Sequence, residues 1–313
     1  VTAAPVTVRV PAKVNVQLAV GGRRPDGFHD LANVFLAVGL YDEVTATAGA
    51  AGEGPVITAS GPDVGSIPLD TTNLAAKAAL ALAAHHGVAP DVRLHIVKDI
   101  PVAGGMAGGS ADAAAALLAC DALWGLDTPR EQLLAICAEL GSDVPFSLVG
   151  GAALGEGRGE ILTPLEVAGP FHWVFAVADG GLSTPAVYRE CDRLRQESGG
   201  GDTVADVPAP AADPALLDAL RTGDPYALAA VLVNDLQAAA LSLRPALAGT
   251  LATGTDAGAL AALVSGSGPT CAFLAPDADT AAKIAVTLAA SGTCRGARPA
   301  ASPAPGATVV RTA

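Results

Sequence analysis

The sequence predicts an α/β protein with two hydrophobic cores, on three observations. The chain has 313 residues, of which 51% are hydrophobic, and a typical domain takes roughly 100–150 residues. Strand-like and helix-like patterns alternate along it. Late in the chain, Phe171–Ala178 (FHWVFAVA) is a continuous apolar run. Such a run reads as a central strand buried on both faces, and it opens a second domain.

The elements follow in order. Thr7–Val10 alternates and reads as a strand. Pro11–Leu18 continues extended, with Lys13, Asn15 and Gln17 on one face. Three polar residues there mark either a site or the solvent side of an edge strand. Gly21–His29 is turn chemistry carrying two cations and two ring side chains. Leu31–Val38 and Glu43–Thr47 are two further strand-like runs. Residues 48–70, rich in Gly, Pro and Ala, form a loop region around a short strand, Val56–Thr58. Thr72–Asn73 caps a helix of Ala and Leu that runs to His86.

Val92–Val97 alternates, with β-branched ends, and is a strand. Ala113–Leu118, all strong helix formers, is a buried helix. Between them lies Pro101-Val102-Ala103-Gly104-Gly105-Met106-Ala107-Gly108-Gly109-Ser110. The glycines let backbone approach a ligand closely. Ser110 is an expected N-cap and Asp112 suits a first helical turn. A glycine loop feeding a helix N-terminus gathers free N–H groups around one point, which favours a phosphate. No Lys follows the glycines, so this is not a Walker loop, and the dinucleotide spacing GxGxxG is absent. The alternative is a glycine turn that only serves tight helix packing.

Further on, Thr128 is expected to cap a helix with Pro129 at its first position. That helix ends before Gly141 as its C′ glycine. Gly150–Gly159 is a second glycine-rich stretch. Residues 193–213 read as a polar, mobile loop. Pro214–Leu243 holds two helical stretches about Gly223-Asp224-Pro225. Ala259–Val264 leads into Ser265–Thr270. Cys271–Leu274 is a strand, Thr280–Ala290 a helix and Val309–Val310 a last strand. No long internal repeat is visible.

Composition narrows the function. The formal net charge is −13, a surface that repels nucleic acid and anionic membranes. It also repels a phosphorylated substrate, so a phosphate site needs local cations. Lys13, Arg23, Arg24, Lys98 and Arg158 stand beside the motifs, although each also suits ordinary solvated surface. No apolar run approaches the ~20 residues of a membrane span, and VTAAPVTVRV carries no signal-peptide pattern. Five scattered cysteines without a CxxC pair suit reduced thiols in a cytoplasm. Oligomeric state is not set by these features.

PAKVN near the start, PVAGGMAGGSADAAA in the middle and SGSGPTCAF near the end stand in a fixed order. With GRRPDGFHDL and LGSDVPF, the chain resembles the GHMP kinase superfamily over essentially its whole length. The resemblance implies a two-lobed α/β fold (α+β in layout) with the active site in the cleft. Residues 1–167 would form a ribosomal-protein-S5-like ATP-binding domain, and 168–313 a ferredoxin-like domain. The motif set is that of the branch whose small-molecule substrate is a cytidine diphosphate derivative of methylerythritol, in the non-mevalonate isoprenoid route. ATP with Mg²⁺ would phosphorylate its 2-hydroxyl. The alternative within the superfamily is a homoserine, mevalonate or sugar kinase, which would not need the RPDGFH turn.

Roles carry over only where residues match. Asp143 stands at the catalytic aspartate and would accept the hydroxyl proton. On sequence alone a helix cap just beyond Gly141 is the favoured reading. Lys13 matches the lysine of PAK and would stabilise charge on the hydroxyl or γ-phosphate. Asn15 matches a substrate-contacting asparagine. Phe28 and His29 match the pair that holds the cytosine, with Phe28 replacing the frequent Tyr. Tyr188 stands where a second ring meets that base, and Thr184 lies in the same segment. Residues 101–110 would hold the triphosphate, with the Ser110 hydroxyl near phosphates and Mg²⁺. Ala111 replaces a second serine frequent in the family. Asn73 and Lys98 lie near where the nucleotide binds in relatives. Gly266 and Gly268 would bring backbone to substrate phosphates or hydroxyl. Asp112, the nearest acidic candidate for a metal, is expected to point away.

Overall fold

A computed structural model describes residues 4–102 and 104–310. Its frame is a long antiparallel hairpin, β1 (Val6–Arg23) with β2 (His29–Ala48). The two strand-like runs after His29 are thus one strand, carried through Gly39–Tyr41 by a register shift opposite Pro11/Ala12. Gly21, Gly22 and Arg23 stay in β1 instead of joining the turn. Gly22 is needed there, because a Cβ would lie 2.0 Å from the Thr203 carbonyl oxygen.

β3 (Pro55–Ser60) runs parallel to β4 (Val92–Val97), which pairs antiparallel with β2. β5 (Ala152–Glu156) pairs the other end of β2, and β6 (Ile161–Pro164) pairs β5. A second sheet is antiparallel throughout, in the order β11 (Gly296–Ser302), β7 (Phe171–Val177), β10 (Cys271–Ala275), β9 (Ala261–Val264). β8 (Val233–Asn234) and β12 (Thr308–Val310) follow residue 167, yet both pair with β1 in the first sheet.

α1 (Leu74–His86), α2 (Gly108–Trp124), α3 (Arg130–Leu140) and α4 (Val144–Val149) pack on the first sheet or on one another. α2 is buried nearly all round because its residues are small: Ala111, Ala113–Ala116 and Ala119 have no exposure. It starts at Gly108, so Ser110 lies inside the first turn and is not the N-cap. That position is Ala107, in the left-handed region at φ 61°. Thr128 does not cap α3 either. Its N–H donates to the Asp121 carboxylate at 3.1 Å, and Pro129 takes the cap position.

The later helices are α5 (Thr184–Glu197), α6 (Pro214–Thr222), α7 (Pro225–Ala229), α8 (Gln237–Leu243), α9 (Leu247–Asp256) and α10 (Ala278–Ala290). Residues 193–197, expected in a loop, close α5. The loop after it is tied down: Thr203 bridges Arg23, and the Gln17 side chain joins Ala211 and Asp213 at 2.7 and 2.9 Å. Gln17 therefore holds a loop and belongs to no site.

The apolar run in β7 is buried on both faces, as its pattern requires. Phe171, Trp173 and Phe175 join the core of the first sheet, while Val174 and Ala176 join the second core under α5, α8 and α10. Among the described residues no helix is long and apolar enough to cross a membrane.

Candidate active site

Alternation in β1 sets the centre of the site. Val10, Ala12, Val14 and Val16 face the first core, so Lys13 and Asn15 face the opposite way. On its side away from β2, β1 pairs with β12 at Thr7–Arg9 and with β8 at Gln17–Leu18, and between them the glycine loop covers it; Lys13 and Asn15 are buried, not the solvent side of an edge. Register shifts at Pro11/Ala12 and Asn15/Gln17 bracket them, and such bulges re-aim side chains beside active sites. Lys13 Nζ donates to Asn15 Oδ1 at 2.6 Å, and Asn15 Nδ2 donates to Asn33 Oδ1 at 2.5 Å.

Asp143 stands where a cap for α4 would, yet its side chain makes no cap hydrogen bond. The carboxylate instead faces Lys13, with Oδ2 3.6 Å from Nζ. The Asp143 side chain keeps 31% of its exposure against 6% for Lys13, so it is open to a ligand while the lysine supports it from below. The helix-cap alternative is set aside by this geometry.

The glycine loop is built against the Ser265–Thr270 loop. Gly105 has φ 77°, and a Cβ there would sit 2.0 Å from the Ser265 carbonyl oxygen. Ser265 Oγ donates to the Gly105 carbonyl at 3.2 Å. From beneath, Asn234 Nδ2 donates to the carbonyls of Val264 and Gly266 at 2.7 and 2.8 Å. The Met106 carbonyl accepts from Lys13 N at 3.3 Å, tying the loop to β1. Ala107 at positive φ stores strain at the mouth of α2.

These parts surround one cleft of about 800 Å³. Gly104, Gly105, Ala107, Gly108, Gly109 and Ser110 line it, as do Gly266 and Gly268. Pro101, Val102 and Met106 do not, and Met106 is fully buried. Ala103 lies outside the described residues. Asn73 and Lys98 do not line it either. Asn73 caps α1, accepting from Ala75 N at 2.8 Å and donating to Pro68 O at 2.7 Å.

Lys98 is buried between Asp42 and Asp112, 2.9 Å from the latter. Burial opposes its charge, but the two carboxylates outweigh burial and raise its pKa. Asp42 Oδ1 also accepts from the N–H groups of Asp99 and Ile100 at 2.6 and 2.9 Å. Lys98 thus anchors the entry to the glycine loop instead of a phosphate. Asp112 does point inward, and burial raises its pKa.

At the other end of the cleft lie ring side chains. Phe28 is 51% exposed, so it plugs no core. The Arg158 guanidinium stands 5.4 Å from its ring centre. The rings of His29 and Tyr188 are 5.1 Å apart. His29 Nε2 is 2.8 Å from Asp192 Oδ1, which fixes that ring. Tyr188 is reached from α5, and Thr184 Oγ1 is 2.9 Å from Ser267 Oγ. Burial and then the Asp143 carboxylate raise the Tyr188 pKa, keeping the phenol protonated. Arg24 turns away to Asp26 and Asp30.

Sequence reasoning missed Asn33, Ser142, Arg189 and Asp192 in the lining. Arg189 and Asp192 had one available signal, their position on the same helix as Tyr188. Asn33 had none, standing in an apolar strand run.

Comparison with known proteins gives the chain a family. A profile described as GHMP kinases N terminal domain matches residues 73–151, and one described as GHMP kinases C terminal matches 216–293. A Streptomyces avermitilis protein named 4-diphosphocytidyl-2-C-methyl-D-erythritol kinase is 72% identical over 305 residues, 97% of this chain and 99% of its own. The chain belongs to the GHMP kinase family. Its relative of the same name in Thermobifida fusca is 59% identical over 97% of this chain and 98% of its own.

A crystal structure of 4-(cytidine 5'-diphospho)-2C-methyl-D-erythritol kinase superposes on this GHMP kinase with a TM-score of 0.75 at 31% identity, covering 95% of this chain and 99% of that one. A homoserine kinase from Cytophaga hutchinsonii, at 21% identity and a TM-score of 0.73 over 98% of this chain and 97% of that one, shares the fold. As a GHMP kinase the protein uses ATP on a small-molecule substrate.

Proposed function

We propose that this GHMP kinase transfers the γ-phosphoryl group of ATP to the 2-hydroxyl of 4-diphosphocytidyl-2-C-methyl-D-erythritol. One observation carries the reading. A single cleft holds the glycine loop, the Lys13–Asp143 pair and the ring cluster Phe28–His29–Tyr188 in that company. A homoserine or mevalonate kinase has no base to hold and no use for the rings. A cleft of about 800 Å³ also suits a substrate of nucleoside diphosphate size.

The chemistry follows from the residues. The Asp143 carboxylate takes the 2-hydroxyl proton as that oxygen bonds to the γ-phosphorus and the bond to the β-phosphate oxygen breaks, releasing ADP. Lys13 offsets the negative charge that develops there. Gly104–Ser110, the mouth of α2, receives the triphosphate through backbone N–H groups. Phe28 and Tyr188 flank the cytosine with His29 at its edge, and Thr184, Gly266 and Gly268 meet the rest of the substrate with Asn15.

For Mg²⁺ the protein supplies little. No cluster of three His, Cys, Asp or Glu side chains suited to a metal occurs among the described residues, and Asp112 is committed to Lys98. That fits an ion carried by the phosphates themselves, with the Ser110 hydroxyl as its protein ligand; the ion would neutralise phosphate charge. Residues 1–167 serve as the ATP-binding domain and 168–313 as the second domain, with β8 and β12 lent to the first sheet. Unpaired thiols at all five cysteines support a cytoplasmic enzyme.

The test is ADP release with a panel of acceptors: the cytidine diphosphate substrate, the same polyol phosphate without cytidine, homoserine and mevalonate. Turnover confined to the first supports the reading. Equal turnover with an acceptor that lacks the base overturns it.

A further inference from the structure

We infer that Asn33 is a positioning residue for phosphoryl transfer, orienting the amide of Asn15 and through it the ammonium of Lys13. The inference rests on the kinase reading above. An ammonium has three donors and no acceptor. Asn15 must therefore turn its oxygen to Lys13, at 2.6 Å. Its NH₂ then faces the other way and needs an acceptor, which Asn33 Oδ1 provides at 2.5 Å. The direction of the whole chain, Lys13 to Asn15 to Asn33, is forced by donor and acceptor chemistry.

All three side chains are buried, with residue exposures of 5% for Lys13, 1% for Asn15 and 4% for Asn33. Water competes weakly there, so an amide facing the wrong way is costly. Without the Asn33 oxygen the Asn15 NH₂ loses its acceptor, and only the hydrogen bond from Lys13 holds the amide in place. An amide that swings aside to find another acceptor takes its oxygen from the ammonium and leaves Lys13 to Asp143, at 3.6 Å, and the face of the Phe35 ring. A lysine on a flexible four-carbon stem needs both holds to stay in one place.

The fold delivers this contact across the hairpin. The ladder pairs Asn15 with Phe35 and Asn33 with Leu18, with a shift between Asn15 and Gln17. Asn33 is thus a diagonal neighbour of Asn15, within reach on the same face. It also lines the cleft.

The experiment measures kcat and both KM values for the wild type, Asn33→Leu, Asn33→Asp, Asn15→Leu and the double variant Asn15→Leu/Asn33→Leu. Asparagine, aspartate and leucine are close in size, but only the first two offer an oxygen to Asn15. Asn33→Leu is expected to lower kcat about 10–100-fold, the scale of a small misplacement of a catalytic group, with KM for ATP unchanged. Asn33→Asp should restore most of the rate.

The double variant should be no worse than Asn15→Leu alone, because Asn33 acts through Asn15. If Asn33→Leu fails to fold, Asn33→Ser, whose hydroxyl is too short to reach Asn15, takes its place with the same expected loss. Wild-type kcat in the folded Leu or Ser variant overturns the inference, as do equal losses in the Leu and Asp variants or additive losses in the double variant. A wild-type enzyme that ignores the cytidine substrate would overturn the functional reading instead.

Discussion

Asp143 carries no cap bond and faces Lys13 in the cleft, so its removal should act on chemistry and spare the fold. Asp143→Asn is expected to lower kcat about 10²–10⁴-fold, the usual weight of a general base, with ATP affinity little changed. Lys13→Ala should also cripple turnover, and the double variant should fall far short of the summed losses, because the pair works as a unit. Near-wild-type turnover in folded Asp143→Asn would remove it from the mechanism.

The rings divide differently. Phe28 is half exposed, whereas Tyr188 also packs on the second core. Base stacking on an aromatic side chain is worth about 1–3 kcal/mol. Phe28→Ala should therefore raise KM for the cytidine substrate about tenfold or more, with no change in melting temperature. Tyr188→Ala should raise the same KM and lower the melting temperature as well. Equal effects of Phe28→Ala on an acceptor without cytidine would place the base elsewhere.

At the scale of elements, the glycine loop separates two roles that look alike in sequence. A Cβ on Gly108 points inward, 3.1 Å from Lys98 Nζ and 3.3 Å from Ile100 Cγ2. One on Gly109 meets only Leu74, at 3.8 Å, and Gly109 is exposed in the cleft. Gly108→Val is thus an overpacking change costing about 1–3 kcal/mol, and its effect on ATP says nothing of phosphate contact. Gly109→Val is the informative variant: KM for ATP should rise about tenfold or more, as a lost close approach to phosphate implies, at constant melting temperature. Retained ATP affinity would mean that this loop does not cradle the triphosphate. Gly105→Ala should loosen both loops together, since it collides with Ser265 backbone at positive φ.

At the scale of the whole molecule, two arginines, one just before β11 and one within it, clasp the second sheet to the first lobe. Arg295 pairs with Asp63, and Arg298 forks onto Asp99 at 2.6 and 2.8 Å. These arginines hold both carboxyl groups below the usual aspartate value of 3.8. A depressed folded pKa stabilises above the unfolded value, and that stability disappears as pH falls through the folded one. Both pairs keep solvent contact, so each is worth about 0.2–1 kcal/mol. Arg298→Ala should lower the melting temperature slightly near neutral pH, and the difference from wild type should vanish in acid below the aspartate range. A difference that persists undiminished in acid would show that the clasp is not an ion pair.

What the sequence by itself determined is local. The alternation in β1 put Lys13 and Asn15 on one face, and glycines before an alanine run marked a loop feeding a helix. An apolar run marked β7. These are patterns within a few residues, written in side-chain period and backbone freedom. The resemblance then supplied roles for Asp143 and the rings, which spacing alone left open. Tertiary structure decided the rest. Lys98 looks like a phosphate ligand in sequence, but Asp42, 56 residues away, takes it into the core. α9 has weak helix formers and Gly254, and it exists because that glycine fits against the Phe273 ring, where a Cβ would lie 2.1 Å away. β8 and β12 join the first sheet only because the chain returns to β1. Asn33 becomes part of the site through a diagonal contact between strands. Each depends on groups far apart in the chain meeting in a buried place, where charge and hydrogen bonding leave few arrangements, and no local pattern encodes such a meeting.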